Sequence, residues 1–367
     1  MPKICVMSSD HPANDIRIYL KEILSLKKAG FEVVYLNREK SGRDEKGVVF
    51  EKIKIDKGAL NRLLFTPLKM FRLAKKQSAD AYHFHDPELL ITGILLKMCG
   101  KKVIYDVHED VPRQIINAHY LRPKRGKVIA VYYEILQSVF TRFFTMNVVA
   151  APMIEEVFRK YKCKTICITN YPKLEEFIVS EEGFVGEKSG VCYVGGINVQ
   201  RGIFEMIEAV DLSDTVLKLV GGFGSSDLEK ECLSLSSWKK NIEYYGFVGR
   251  EEVAKLMAES IAGLVVFLPL PNHTEAMPNK MFEYMAAGIP VIASNFPLWI
   301  EIVENGDCGV CVDPQQPMEI SRGITYLLEN PQIAQKMGEN GKKLVNEKYN
   351  WQIEEKKLID FYNGLLL

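Results

Sequence analysis

The chain reads as two α/β units, each a parallel sheet covered by helices on both faces. Three observations carry this. Short apolar runs alternate with helical patterns along the whole length. An acidic stretch bearing Pro and Gly, residues 171–188 (YPKLEEFIVSEEGFVGEK), separates two such series and suits a linker. And 367 residues with 47% hydrophobic content suffice for two cores of ordinary size. In the first series Lys3–Met7 is a strand, Ile16–Ala29 a helix closed by Gly30, and Glu32–Leu36 a second strand, a βαβ opening. Further strands are expected at Val48–Ile53, Ala81–Phe84, Lys102–Asp106, Val148–Ala150 and Thr165–Ile168. In the second series they are expected at Val191–Val194, Val216–Val220, Ile242–Tyr245, Gly263–Leu268, Ile289–Ala293 and Val310–Val312. A last helical pattern, Trp351–Leu366, follows the second sheet. Residues 1–170, 171–188, 189–349 and 350–367 are therefore a first domain, a linker, a second domain and a final helix.

Composition narrows the class of function. No run of about 18 apolar residues exists to cross a bilayer, and Met1–Met7 leads into a strand rather than a signal peptide, which points to a cytoplasmic protein. Eight cysteines lie scattered, Cys5 and Cys192 within apolar runs, so buried thiols are expected rather than disulfides. Cys308 and Cys311 form a C-x-x-C, but with no second pair. The net charge of zero hides an asymmetry: residues 1–170 hold 30 Lys and Arg against 18 Asp and Glu, and the remainder 17 against 29. A basic first half suits an anionic partner, a membrane leaflet or a pyrophosphate-linked acceptor, and nothing points to nucleic acid. Within it Ala59–Lys76 interleaves Leu63, Leu64, Leu68 and Phe71 with Arg62, Lys69, Arg72, Lys75 and Lys76, and Arg122–Phe144 repeats the theme. Each reads either as an interfacial helix, placing the protein peripherally on the inner face of the plasma membrane, or as a core helix with a solvated basic face.

The most informative passage is EAMPNKMFEYMAAGIPVIAS, bracketed by Glu275 and Glu283. Pro278 fits the first turn of a helix that runs to Ala287 and stops at Gly288 and Pro290. Such a helix opens with free N–H groups and a positive dipole end, which suit a diphosphate without a metal. A carboxylate accepts hydrogen bonds from two adjacent hydroxyls, so one Glu can hold a ribose and the other a sugar. Alternatively Glu283 complements the dipole and Glu275 is a loop acid.

This passage resembles the retaining glycosyltransferases of family four, with their Glu-x7-Glu signature, small-residue helix end and buried strand. The resemblance implies a GT-B fold, two Rossmann-like domains facing across a cleft, with the final helix crossing back to the first. It implies donor binding by the second domain, with Glu275 on the transferred sugar and Glu283 on the ribose. Ala276, Met277, Pro278 and Asn279 at the helix start join them as donor contacts. In VCYVGGINVQRG, the glycines Gly195 and Gly196 let backbone approach a phosphate, and Arg201 falls on the family's diphosphate-contacting basic position. The family's second basic residue falls on Gly196, which makes Lys280 the candidate substitute. Phe247 and Val248, just beyond a strand, are where the base is expected to lie.

In the first half, VIYDVHED places His108 after a strand, and the family has a cleft-lining histidine there. YHFHDPE puts His83 and His85 on one strand face before Asp86, which invites metal ligation. Pro87 and Glu88, however, stand where a familiar H-x-H-x-D-H site needs Asp and His, so no metal site is expected. His11, Arg17, His85 and Asp86 are the acceptor-side candidates, Arg17 and Lys21 lying one helical turn apart to meet an acceptor phosphate or forming an exposed helix face. The opening loop lacks the family's adjacent glycines, and the SSDHPANDIRI and FHDPELL segments resemble a bacterial subset that builds surface polysaccharides.

The expected activity is transfer of a sugar from a nucleotide diphosphate sugar to a glycan or lipid-linked hydroxyl with retained configuration. No D-x-D occurs, and no cofactor is expected beyond the nucleotide sugar as co-substrate. The alternatives are a GT-B nucleotide-sugar epimerase and a non-catalytic nucleotide-sugar-binding subunit.

Overall fold

The computed structural model describes residues 1–55, 58–116, 123–177 and 188–367. Most of the expected linker, residues 178–187, lies outside the described residues. The chain divides into two compact units, Met1–Asn170 with Gln352–Leu367, and Tyr171–Trp351.

The first unit is built on eight strands: β1 (Lys3–Met7), β2 (Glu32–Asn37), β3 (Gly42–Arg43), β4 (Val49–Lys52), β5 (Ala81–Phe84), β6 (Lys102–Val107), β7 (Met146–Val149) and β8 (Thr165–Cys167). Their order is β3-β4-β2-β1-β5-β6-β7-β8. All pairs are parallel except β3 with β4, an antiparallel edge that the sequence pattern did not announce. Helices α1 (Leu24–Lys28), α2 (Ala59–Lys76), α3 (Leu90–Met98), α4 (Val111–Ile116), α5 (Pro123–Phe140) and α6 (Pro152–Lys160) connect them. The expected helix at residue 16 opens as a π-helical segment, Ile16–Ile23, whose start is capped by the Asp15 side chain accepting from the Arg17 and Ile18 N–H groups.

The two sheet faces differ because side chains alternate along each strand. Cys5, Met7, Val34, Leu36, Tyr82, Phe84, Val103 and Tyr105 form one apolar layer together with Met70 and Ala74 of α2 and Leu96 of α3. The opposite face carries Val6, Tyr35, His83 and Asp106, all buried. There the terminal helix (Trp351–Leu366) brings the Tyr362 hydroxyl to 2.8 Å from His83 Nδ1, and its Glu354 accepts from the Thr169 N–H at 2.9 Å.

The second unit is a six-stranded parallel sheet: β9 (Val191–Val194), β10 (Leu217–Val220), β11 (Ile242–Gly246), β12 (Ala262–Val265), β13 (Val291–Ser294) and β14 (Gly309–Val312), in the order β11-β10-β9-β12-β13-β14. The chain order reverses at β9, and ligands of such sheets lie beyond the carboxyl ends of the strands at that point. Helices α7 (Ile203–Leu212), α8 (Ser226–Ser234), α9 (Ser236–Asn241), α10 (Arg250–Ala258), α11 (Asn279–Ala287), α12 (Pro297–Val303), α13 (Pro317–Glu329) and α14 (Pro331–Glu347) cover it. β12 is shorter than the apolar run suggests: Val266–Leu268 leave the sheet, and the Leu268 N–H bonds to the Gln200 carbonyl instead. Likewise β13 begins at Val291, because Ile289 closes the end of α11 through the Tyr284 carbonyl. Cys308 is buried and, like every described cysteine, free.

Candidate functional site

Helix α11 fixes the centre of the second unit's site. Pro278 is the residue before its first turn rather than within it, at φ −69° and ψ 128°, and no side chain caps the helix. Its leading N–H groups therefore face outward beyond the strand ends. The far end stops at Gly288, which adopts φ +73°, a conformation that costs a glycine little. The helix docks through Tyr284, whose hydroxyl accepts from the Val194 N–H at 3.0 Å and thereby ties α11 to the end of β9. Gly263 makes room for it: a side chain there would run into the Tyr284 ring.

Docked in this way, α11 aims Lys280 at the glycine loop after β9. The Lys280 side chain is buried, 8% exposed, and its ammonium has no hydrogen-bond partner among the described residues. It lies 3.5 Å from the centre of the Tyr193 ring, a cation–π contact. A Cβ on Gly195, which sits at φ +126°, would lie 2.9 Å from Lys280 Nζ. One on Gly196 would lie 3.1 Å from Arg201 Nη1, and that guanidinium donates to the Gly196 carbonyl at 3.2 Å. The glycines thus open the space that both cations fill. Burial, and then the nearby Arg201, hold the Lys280 amine well below the ordinary lysine value.

The two acids are placed differently. Glu275 is exposed on the loop before the helix, with Ala276, Met277 and Pro278 partly buried behind it and Asn279 exposed. The Ala276 carbonyl is held by Trp299 Nε1 at 2.7 Å. Glu283 accepts at Oε1 from Arg250 Nη2 at 2.9 Å, and Arg250 also pairs with Glu176 at 2.7 Å. Arg250 is a site-wall residue that sequence reading missed, since nothing local marks an arginine at a helix start as the partner of an acid 33 positions on. Phe247 is 89% exposed with its ring over Gly222, where any side chain would collide with it, and Val248 is partly buried beside it.

In the first unit the candidates converge on Asp106. Arg17 is not on an exposed helix face: it is 4% exposed and donates through Nη2 to Asp106 Oδ1 at 2.9 Å, through Nη1 to the Ile168 carbonyl at 2.9 Å, and lies 3.0 Å from Glu22 Oε1. Lys21 is also buried, its ammonium spent on Asn170 Oδ1 at 2.6 Å. These two cations are committed inside the fold, so the expected phosphate contact does not form here. His85 is buried, with Nδ1 3.1 Å from His108 Nε2. Asp86 is buried as well and organises the opening loop, accepting from the Ser9 N–H at 2.6 Å and the Ser8 hydroxyl at 2.9 Å, with His11 Nδ1 at 2.8 Å. Only His11 and His108 of this group reach the surface, their rings 5.1 Å apart, with side chains 31% and 18% exposed.

Glu22, His83, His85 and Asp106 each offer a ligand atom within 4.8 Å of the others, a set that could hold a metal ion. Arg17 touches both carboxylates of this set. Burial opposes the charge on Asp106, but Arg17 and then His108 outweigh it and hold that carboxyl well below its usual range. Burial and the adjacent Asp106 charge push Glu22 well above it.

Comparison with known proteins agrees with this architecture. Residues 175–344 match the family "Glycosyl transferases group 1". A D-rhamnosyltransferase, WbpZ of Pseudomonas aeruginosa, is 27% identical over 297 residues, 74% of this chain and 71% of its own length. Two further curated glycosyltransferases, both from Methanocaldococcus jannaschii, match over 46% of theirs. Among solved structures, sucrose-phosphate synthase from Thermosynechococcus elongatus superposes with a TM-score of 0.79 at 18% identity, covering 100% of this chain and 99% of that one. HepE from Anabaena, solved with UDP-glucose, superposes at 0.73 with 17% identity over 99% of both. The chain is a glycosyltransferase of GT-B fold in which residues 175–344, just under half of its length, are similar to the group 1 glycosyl transferases.

Proposed function

We propose that the enzyme transfers a sugar from a nucleotide diphosphate sugar to an acceptor hydroxyl with retention and without a metal, in the assembly of a surface polysaccharide or glycolipid. The observation that carries this is the buried ammonium of Lys280, unpartnered beside Gly195 and the uncapped start of α11. A charge held in that state is costly unless an anion completes it. A donor diphosphate does so, with Arg201 and the α11 amides sharing its oxygens and Lys280 standing in for the basic side chain that Gly196 lacks. Solved neighbours that bind UDP-glucose support the donor class.

In this reading Glu275 accepts hydroxyls of the transferred sugar, Glu283 the ribose hydroxyls, and the exposed ring of Phe247 stacks on the base, with Val248 beneath it. Breaking the bond between the anomeric carbon and the donor oxygen leaves negative charge on the diphosphate, which Lys280, Arg201 and the helix end stabilise. The departing phosphate oxygen takes the acceptor proton as the acceptor oxygen bonds to the same face of the anomeric carbon, so no enzyme nucleophile is required. His108 and His11 are the acceptor-side groups that solvent reaches. The buried His85 and Asp86 hold them in place.

A thermal-shift panel of UDP- and GDP-sugars identifies the donor, and a transfer assay with it tests the roles. Glu275→Ala is expected to abolish transfer while leaving the circular dichroism spectrum and the nucleotide shift intact. A fully active variant would refute the assignment. Acceptor-independent release of an isomerised sugar would instead identify an epimerase, and donor binding without turnover a non-catalytic subunit.

A further inference from the structure

The first unit carries an outward surface that the donor reading leaves unused. Helix α3 packs against both α2 and α5, so the three form one layer over the apolar sheet face. Their inner sides belong to the core through Met70, Ala74 and Leu96. Their outer sides are apolar too. On α5 exposed Val128, Val131, Ile135 and Val139 recur at helical spacing, with Val128 69% and Tyr132 64% exposed. On α2 Leu64, Phe65 and Leu68 form a second exposed row, and Met98 at the end of α3 is 79% exposed. A water-facing helix ordinarily places polar residues there, and apolar surface gathered in this way marks an interaction site.

The charges around these rows select the partner. α2 holds five basic residues and no acid, and Arg72, Lys75 and Lys76 are exposed. Lys127 and Arg142 are exposed at the two ends of the α5 row, and its acid, Glu134, is engaged by the Tyr161 hydroxyl at 3.2 Å. A second copy of the chain meeting this face about a two-fold axis would set like charges against like. A neutral apolar protein would leave the cations uncompensated. Apolar side chains flanked by long basic ones match a bilayer with anionic headgroups, where the former enter the acyl boundary and the latter reach the phosphates. No described helix is long and apolar enough to cross a membrane.

We infer that the α2–α3–α5 face docks the enzyme on an anionic membrane surface. The inference does not depend on the donor chemistry, and its test is separable from it. Full-length protein is sedimented with vesicles of phosphatidylcholine alone and of equal parts phosphatidylcholine and phosphatidylglycerol. Binding to the anionic vesicles only is expected. It should weaken about fivefold for each unit of charge removed in Lys75→Gln and Lys76→Gln, and at least about tenfold in Val131→Glu/Ile135→Glu. The circular dichroism spectrum and the thermal midpoint should be unchanged in all variants, which shows that each is folded. Failure to sediment with anionic vesicles, or binding undiminished by the glutamate pair, overturns the proposal. So does a concentration-dependent dimer in sedimentation velocity that the same pair dissociates while vesicle binding is absent.

Discussion

Each unit buries cations, and two of them, Arg17 in the first and Lys280 in the second, are held in opposite ways. In the first, Arg17 meets Asp106 and Glu22 within 3.0 Å, and Lys21 meets Asn170. In the second, Lys280 is buried with an aromatic ring beneath it and no acceptor among the described residues. A closed network fixes local structure, because every charge has been compensated during folding. An open one keeps its electrostatic capacity for whatever enters later. The contrast separates charge compensated within the fold from charge left open.

The sharpest way to break the comparison is to open the closed side. Arg17→Met leaves Asp106 ionised and buried without its guanidinium, a mechanism that typically costs about 3–5 kcal/mol. Urea unfolding monitored by circular dichroism should show a loss of that order, and a loss below about 1 kcal/mol would mean that the network is not closed as described. The Asp106→Asn/Arg17→Met double variant should recover part of it, since both charges then disappear together.

The converse substitution on the open side should move stability upward. Lys280→Met removes an unpaired buried charge while keeping the apolar stem, and is expected to stabilise the ligand-free protein by roughly 1–2 kcal/mol. The same change should weaken nucleoside diphosphate binding about ten- to a hundredfold, the loss of one charge-assisted hydrogen bond. The pH behaviour follows from the depressed amine. The unfolded lysine holds its proton up to the ordinary value while the folded one releases it earlier, so stability contributed by this group rises with pH across that interval. A diphosphate favours the protonated amine, so calorimetry in buffers of different ionisation enthalpy should register more proton uptake on binding in wild type than in Lys280→Met. Equal uptake in both would assign the proton elsewhere.

What the sequence disclosed, and what it withheld, follows the same division. Strands β1, β5 and β9 are legible to the residue because strand and apolar run coincide there. β12 was overextended, since Val266 and Phe267 remain buried after leaving the sheet and hydropathy cannot distinguish the two states. Lys280 stands out as a cation within the first turn of a helix expected to meet a diphosphate, and the structure adds its burial and its lack of an acceptor. Arg17 looked like a surface residue because its partners, Asp106 and Ile168, are 89 and 151 positions away. Arg250, the partner of Glu283, is hidden for the same reason. Local pattern reports which face of an element is apolar, and long-range pairing of charges leaves no periodic trace.

The smallest effect expected lies where the closed network reaches solvent. Burial opposes protonation of His11, but the hydrogen bond and charge of Asp86 outweigh it and raise His11 above its ordinary 6.5. Its contribution is therefore complete below 6.5 and disappears as pH rises through the raised folded value. Asp86 is shifted the other way, burial again opposing and His11 prevailing, so its share is present above the ordinary 3.8 and is lost as pH falls through the lowered folded value. With His11 partly exposed, the pair is worth on the order of 1 kcal/mol. Thermal midpoints followed upward from pH 6 should thus contain a falling contribution from His11 and a rising one from Lys280. His11→Gln should remove the first alone and Lys280→Met the second alone. If His11→Gln leaves the falling contribution unchanged, the loop of residues 8–11 is held by the Ser8 and Ser9 contacts to Asp86 and not by the ion pair.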